Sequence, residues 1–239
     1  MRATTCLLTG VIWSACLLSD AGDKEIRVFI ALCDNKTQGI IPVSPKIGNG
    51  DDPDSNLYWG CDEGFDPVFR HSKNWQVLKC RSDVSLEVLR RMKLRHVQGG
   101  LTITADAYRG SNIRKCIEDF EAAVASGKFA LVAYIGHDGL MDFQLPEPAA
   151  HAATGTDAIV LACVSNRYFA DRLRRLGARP ILMTEQLMYP GAFILRDVLE
   201  VWRKGGGLEE IRSAAATAYA GNQHISTRAA LGIFTDATR

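Results

Sequence analysis

Apolar positions along this chain gather into short runs punctuated by turn residues, and the runs alternate with stretches of helical spacing. Ile26–Leu32 (IRVFIAL), Leu101–Ala105, Phe129–Ile135, Ala158–Ala162 and Pro180–Thr184 are too short for buried helices, and each predicts a strand. Their lack of polar alternation suits strands covered on both faces, as in a parallel sheet. Trp75–Leu78 predicts a further short strand. Helices are expected over Ser85–His96, where Leu86, Leu89 and Leu94 stand among basic residues, and over Ser111–Gly127. In the latter, Ile113, Ile117, Phe120 and Val124 share one face between a capping Ser and a closing Gly. Asn166–Leu176, stopped by Gly177, predicts another helix; so do Gly191–Lys204 and Leu208–Gly221, parted by Gly205-Gly206-Gly207. Leu57–Phe69 has helical spacing at Leu57, Cys61, Phe65 and Val68, interrupted by Gly60, Gly64 and Pro67. Strand alternates with helix nearly throughout, so the expected class is α/β, a three-layer sandwich around a mainly parallel central sheet.

No linker interrupts the pattern after the N-terminal stretch, and 239 residues suffice for one domain of ordinary size. With 47% hydrophobic and 23% charged residues the composition is that of a globular protein. The net charge of +1 and the absence of a long basic run give no reason to expect nucleic acid as a partner. A long aperiodic loop, Lys36 to Ser55, follows the first strand, and loops of that length are often functional. Asp52, Asp54, Asn56 and Glu63 fall at calcium-loop positions, but Leu57 stands where that loop needs Gly. Helix capping explains Asp54 and Ser55 more simply. His71, His96, His151 and His224 are scattered, and no cysteines have metal-ligand spacing, so no metal or cofactor is expected.

The N-terminus changes the picture. After Arg2, the stretch Cys6–Leu18 carries no charge; it is too short for a membrane-spanning helix but suits the apolar region of a signal peptide. Small residues at Ser19-Asp20-Ala21 predict a leader over 1–21 and a mature domain over 22–239, exported to the periplasm or beyond. Lipid attachment at Cys16 is the alternative, with Trp13 against it, and no integral membrane span is expected. Cys33, Cys61, Cys80, Cys116 and Cys163 then remain, an odd number, which leaves at least one thiol unpaired or bonded to another chain.

Candidate chemistry lies at two strand ends. The Phe129–Ile135 run stops at Gly136-His137-Asp138-Gly139, and the Ala158–Ala162 run at Cys163-Val164-Ser165. Ligands bind beyond the carboxyl ends of parallel strands, so His137 and Cys163 can meet although 26 residues apart. An imidazole beside a thiol can take its proton, the minimum requirement for nucleophilic catalysis by cysteine. A small buried Cys and a His in a tight Gly turn would look the same in sequence.

With these elements in order, the chain resembles the caspase-like superfamily of cysteine peptidases, which includes caspases, gingipain, clostripain, separase and CHAT domains. In that superfamily a strand ends in a His-Gly or Gly-His-Gly turn carrying the catalytic His, and a later strand ends in the nucleophilic Cys, often after Ala. Gly136-His137-Asp138-Gly139 and Ala162-Cys163 match those features. The Ser111–Gly127 helix and the stretch from Ala178 to Ala220, similar to the close of CHAT domains, extend the likeness over roughly residues 26 to 221. Asp138 precedes the Gly that many members have directly after the His, and 26 residues separate His from Cys against roughly 50 in caspases. No caspase-type processing linker is present, and the likeness is to a compact member.

The resemblance implies a caspase-like sheet and an endopeptidase that cleaves protein or peptide substrates through an acyl-enzyme. Cys163 would be the nucleophile and His137 the proton carrier, with the backbone N–H groups of Gly139 and Cys163 as oxyanion donors. A non-catalytic exported relative using the same cleft to bind is the alternative. It also implies that the side chain before the scissile bond is gripped beyond neighbouring strand ends, which here carry Asp34 and Glu185. Carboxylates there would favour Lys or Arg, since a buried charge must be paired. No third member of a triad can be named from the sequence.

Overall fold

The computed structural model describes residues 23–236, so the expected leader over 1–21, including Cys6 and Cys16, lies outside the described residues. Seven strands form one sheet: β1 (Lys24–Ala31), β2 (Trp75–Ser82), β3 (Val88–His96), β4 (Leu101–Tyr108), β5 (Leu131–Ile135), β6 (Asp157–Leu161) and β7 (Arg179–Leu182). They lie in the order β2-β3-β4-β1-β5-β6-β7. Strands β4, β1, β5, β6 and β7 pair in parallel, while β2–β3 and β3–β4 pair antiparallel. Every residue of β5 and β6 is buried, as strands covered on both faces require.

The helices supply that cover. On one face α2 (Ile113–Ala125) and α3 (Ser165–Arg175) pack against Phe29, Val132, Tyr134 and Val160. The other face is covered by α1 (Phe65–Arg70), α4 (Ala192–Trp202), α5 (Leu208–Gln223) and α6 (Thr227–Leu231), over Val28, Ile30, Ala133 and Leu161. The described fold is thus α/β with a mixed, mostly parallel sheet between helical layers, an arrangement compatible with a three-layer sandwich. No helix among the described residues is long and apolar enough to cross a membrane.

Two expectations need correction. The segment Ser85–His96 is not a helix: it is a turn followed by strand β3, with Met92, Leu94 and His96 buried and Lys93 and Arg95 exposed. That alternation of period two is the strand signature, and it outweighs the leucine spacing, since Leu86 points to solvent. The Leu57–Phe69 helix shrinks to α1, because Gly64 and the turns before it end the pattern where Trp59 and Phe65 stack, ring centroids 5.5 Å apart. Strand β2 is longer than Trp75–Leu78 and forms a sheet edge, where exposed Lys79 and Arg81 discourage pairing with another chain.

Ion pairs with buried carboxylates tie strands together within the sheet and join the two helices on one of its faces. The fully buried Asp106 on β4 accepts from Arg27 of β1 (2.7 Å) and from Arg91 of β3 (2.5 and 2.7 Å). Arg172 of α3 makes a bidentate contact with Glu121 of α2 (2.6 and 2.8 Å). Its guanidinium also donates to the Leu145 and Pro146 carbonyls, pinning the excursion that follows His137.

Candidate active site

Strands β5 and β6 run side by side with Ile135 opposite Leu161. His137 and Cys163 each stand two residues beyond that pair, so equal overruns at the carboxyl ends of adjacent strands bring them to one place. Both line a cleft of about 550 Å³, within the usual size of ligand sites. The 36–55 loop, the turn after His137 and the segment between β7 and α4 close over it.

The His137 turn is built to be rigid. Gly136 has φ +154°, and a side chain there would press on the Ala31 carbonyl at 3.0 Å, so only Gly fits. The Tyr134 hydroxyl donates to the His137 carbonyl at 2.7 Å. Asp138 caps a 3₁₀ turn over Gly139–Met141 by accepting from the Leu140 N–H at 3.0 Å. That turn returns the chain so that Asp142 Oδ2 meets His137 Nε2 at 2.8 Å. The same oxygen accepts from the Gly39 N–H at 2.8 Å, which joins the long loop to the site. Asp142 is the orienting group that the sequence did not disclose; a residue five positions on becomes a neighbour only through the 3₁₀ turn. Among the described residues Nδ1 of His137 has no hydrogen-bond partner.

Cys163 sits on a strained connection. Val164 adopts φ +50°, a left-handed conformation that a β-branched residue rarely takes, directly between β6 and α3. A buried hydroxyl pair holds it: Ser165 Oγ donates to the Val160 carbonyl at 2.9 Å and lies 3.0 Å from Thr184 Oγ1, which also contacts the Ala162 carbonyl. The Cys163 thiol lies 3.5 Å from both the N–H and the carbonyl of Met188. Burial pushes the thiol above its ordinary value, opposed by the Met188 backbone contact and reinforced by the charge of Asp138. Buried Tyr58 shares the cleft, placed by Asn56, whose side chain bonds the Cys33 N–H and carbonyl and the Tyr58 N–H.

Gly139, expected as an oxyanion donor, is buried where a side chain would run into Phe143 and Ile117, and it does not line the cleft. The Cys163 N–H donates to no acceptor among the described residues. Asp34 and Glu185, expected to bind substrate, stay outside the cleft. Asp34 accepts from Thr37 Oγ1 at 2.6 Å and the Lys36 N–H at 3.1 Å, and so shapes the start of the loop. Glu185 accepts from Asn166 at 3.0 Å on the outer side of the β7 edge. Asp54 pairs with Arg90 rather than forming a calcium loop, and no cluster of three His, Cys, Asp or Glu suited to a metal occurs among the described residues. All five described cysteines are free thiols. A larger groove of about 1130 Å³ beside α4 and α5 is rimmed by Glu63, Asp197 and Glu209 and holds neither Cys nor His.

In comparisons with known proteins, the chain matches no family model, no curated sequence and no solved structure.

Proposed function

We propose that the protein is a cysteine peptidase of caspase-like type, with Cys163 as nucleophile and His137 as proton carrier. One observation carries this reading: two groups 26 residues apart line one cleft at adjacent strand ends, with the imidazole held by a carboxylate. The strained Val164 next to the thiol adds support, because such strain concentrates where a side chain must be aimed.

With burial holding the proton on sulfur, the reaction starts from the neutral thiol rather than a resting ion pair. Nδ1 of His137 takes the proton as sulfur bonds to the scissile carbonyl carbon and the carbonyl electron pair moves to oxygen. The Cys163 N–H would meet the oxyanion. Collapse breaks the C–N bond while His137 passes its proton to the departing amine, leaving a thioester. Water, deprotonated by His137, then releases the acid, and the proton returns to sulfur. Asp142 keeps the ring oriented and balances its charge. The uncharged Cys6–Leu18 run supports an exported protein.

A peptidyl acyloxymethyl ketone tests the assignment. Stoichiometric labelling at Cys163 that disappears in Cys163→Ser and His137→Ala is the expected result. Equal labelling of the other cysteines, or none at Cys163, favours the second reading, an exported binding protein with an unreactive thiol. The raised Cys163 thiol is the observation on that side.

A further inference from the structure

No Asp, Glu, Lys or Arg lines the cleft; its walls are apolar residues and glycines, two tyrosines, His137 and Cys163. Three of its rim residues are among the most exposed large hydrophobics described: Ile41 at 85%, Leu187 at 64% and Met141 at 43%. Isolated apolar residues on a surface need no explanation. These three come from separate segments, the long loop, the approach to α4 and the His137 turn, yet converge on one opening. Nothing in the fold requires that convergence.

From this we infer that the cleft takes a large apolar side chain, such as Leu, Met or Phe, of an extended peptide, gripped between Ile41, Met141 and Leu187. The cleavage part of this inference rests on the peptidase reading; the binding part does not. A Lys or Arg side chain would leave water here without a free carboxylate to meet it, since Asp142 is engaged by His137 and the Gly39 N–H behind the cleft wall, Asp34 is committed to its own loop and Glu185 lies outside. An Asp side chain would find no guanidinium. The cavity of about 550 Å³ has room for one large side chain and the backbone on either side of it.

The test uses the full chain and one set of peptidyl acyloxymethyl ketones that differ only in the last residue: Leu, Phe, Arg or Asp. Labelling of Cys163 is expected to be at least tenfold faster with Leu or Phe than with Arg or Asp. Because Ile41 is exposed, Ile41→Asp leaves the fold intact, and it is expected to move the Leu-to-Arg rate ratio at least tenfold toward Arg. His137-dependent labelling led by Arg or Asp would overturn the apolar assignment and leave the peptidase reading standing. If no probe labels in a His137-dependent way, the peptidase reading fails. The anisotropy of fluorescent, unreactive Leu and Arg peptides then decides the cleft: tighter Leu binding, weakened by Ile41→Asp, supports it, and equal or tighter Arg binding refutes it.

Discussion

Asp142 is worth more to the site than its position suggests. Its carboxylate joins the His137 ring to the backbone of the long loop, so one side chain sets both the imidazole and the cleft wall. Asp142→Asn keeps the size and an acceptor for the Gly39 N–H but removes the charge that balances an imidazolium. Labelling of Cys163 by the Leu probe should fall about 10- to 100-fold, the typical worth of a group acting through a catalytic base. The pH dependence of that rate should shift as well. A lower rate with an unchanged profile would mean that Asp142 serves only to hold the loop.

At the scale of elements, the strand–turn–helix unit from β6 to α3 carries Cys163, the proposed nucleophile, and its cost is concentrated at Val164. A left-handed non-Gly residue costs about 1–2 kcal/mol, part of which Gly gives back through the freedom of its unfolded chain. Val164→Gly should therefore raise stability by about 0.5–1 kcal/mol in urea denaturation while slowing Cys163 labelling, because the thiol is less firmly aimed. A destabilised variant would show that the Val164 side chain contributes more by packing than it costs by strain. The β3 strand teaches a related lesson about legibility. Arg91-Met92-Lys93-Leu94-Arg95-His96 alternates strictly, but Leu86, Leu89 and Leu94 imitate helical spacing, and only pairing with β4 and β2 decides between them.

At the scale of the whole molecule, the site has a cost in stability that depends on pH. Burial pushes the Asp138 carboxyl up to about 7, with the charge of Asp142 adding to the rise and the Leu140 N–H opposing it. Its Oδ2 is buried without a hydrogen-bond partner among the described residues. A folded-state value above the unfolded one means that the native protein holds this proton longer. This contribution is complete below about pH 4 and is lost as pH rises from about 4 to about 7. Asp138→Asn should flatten that fall and leave the variant about 2–4 kcal/mol more stable than the parent at pH 8, read by urea denaturation across the range. Equal slopes for the two proteins would place the pH dependence elsewhere.

What the sequence by itself determined was the set of fully buried strands, the two amphipathic helices over one face, and the strand ends that carry His137 and Cys163. Those features are local: an apolar run has nowhere to go but the middle of a sheet, and a Gly-flanked His at its end must project beyond it. The tertiary structure alone decided the rest. Asp142 reaches His137 only because a 3₁₀ turn folds the chain back, and Asp34 turns inward to its own loop because Lys36 and Thr37 offer nearer donors. The apolar rim of Ile41, Met141 and Leu187 comes from three segments with no common pattern in sequence. The first two are turn geometries that spacing along the chain does not announce, and the rim depends on long-range packing, where proximity is set by the sheet order.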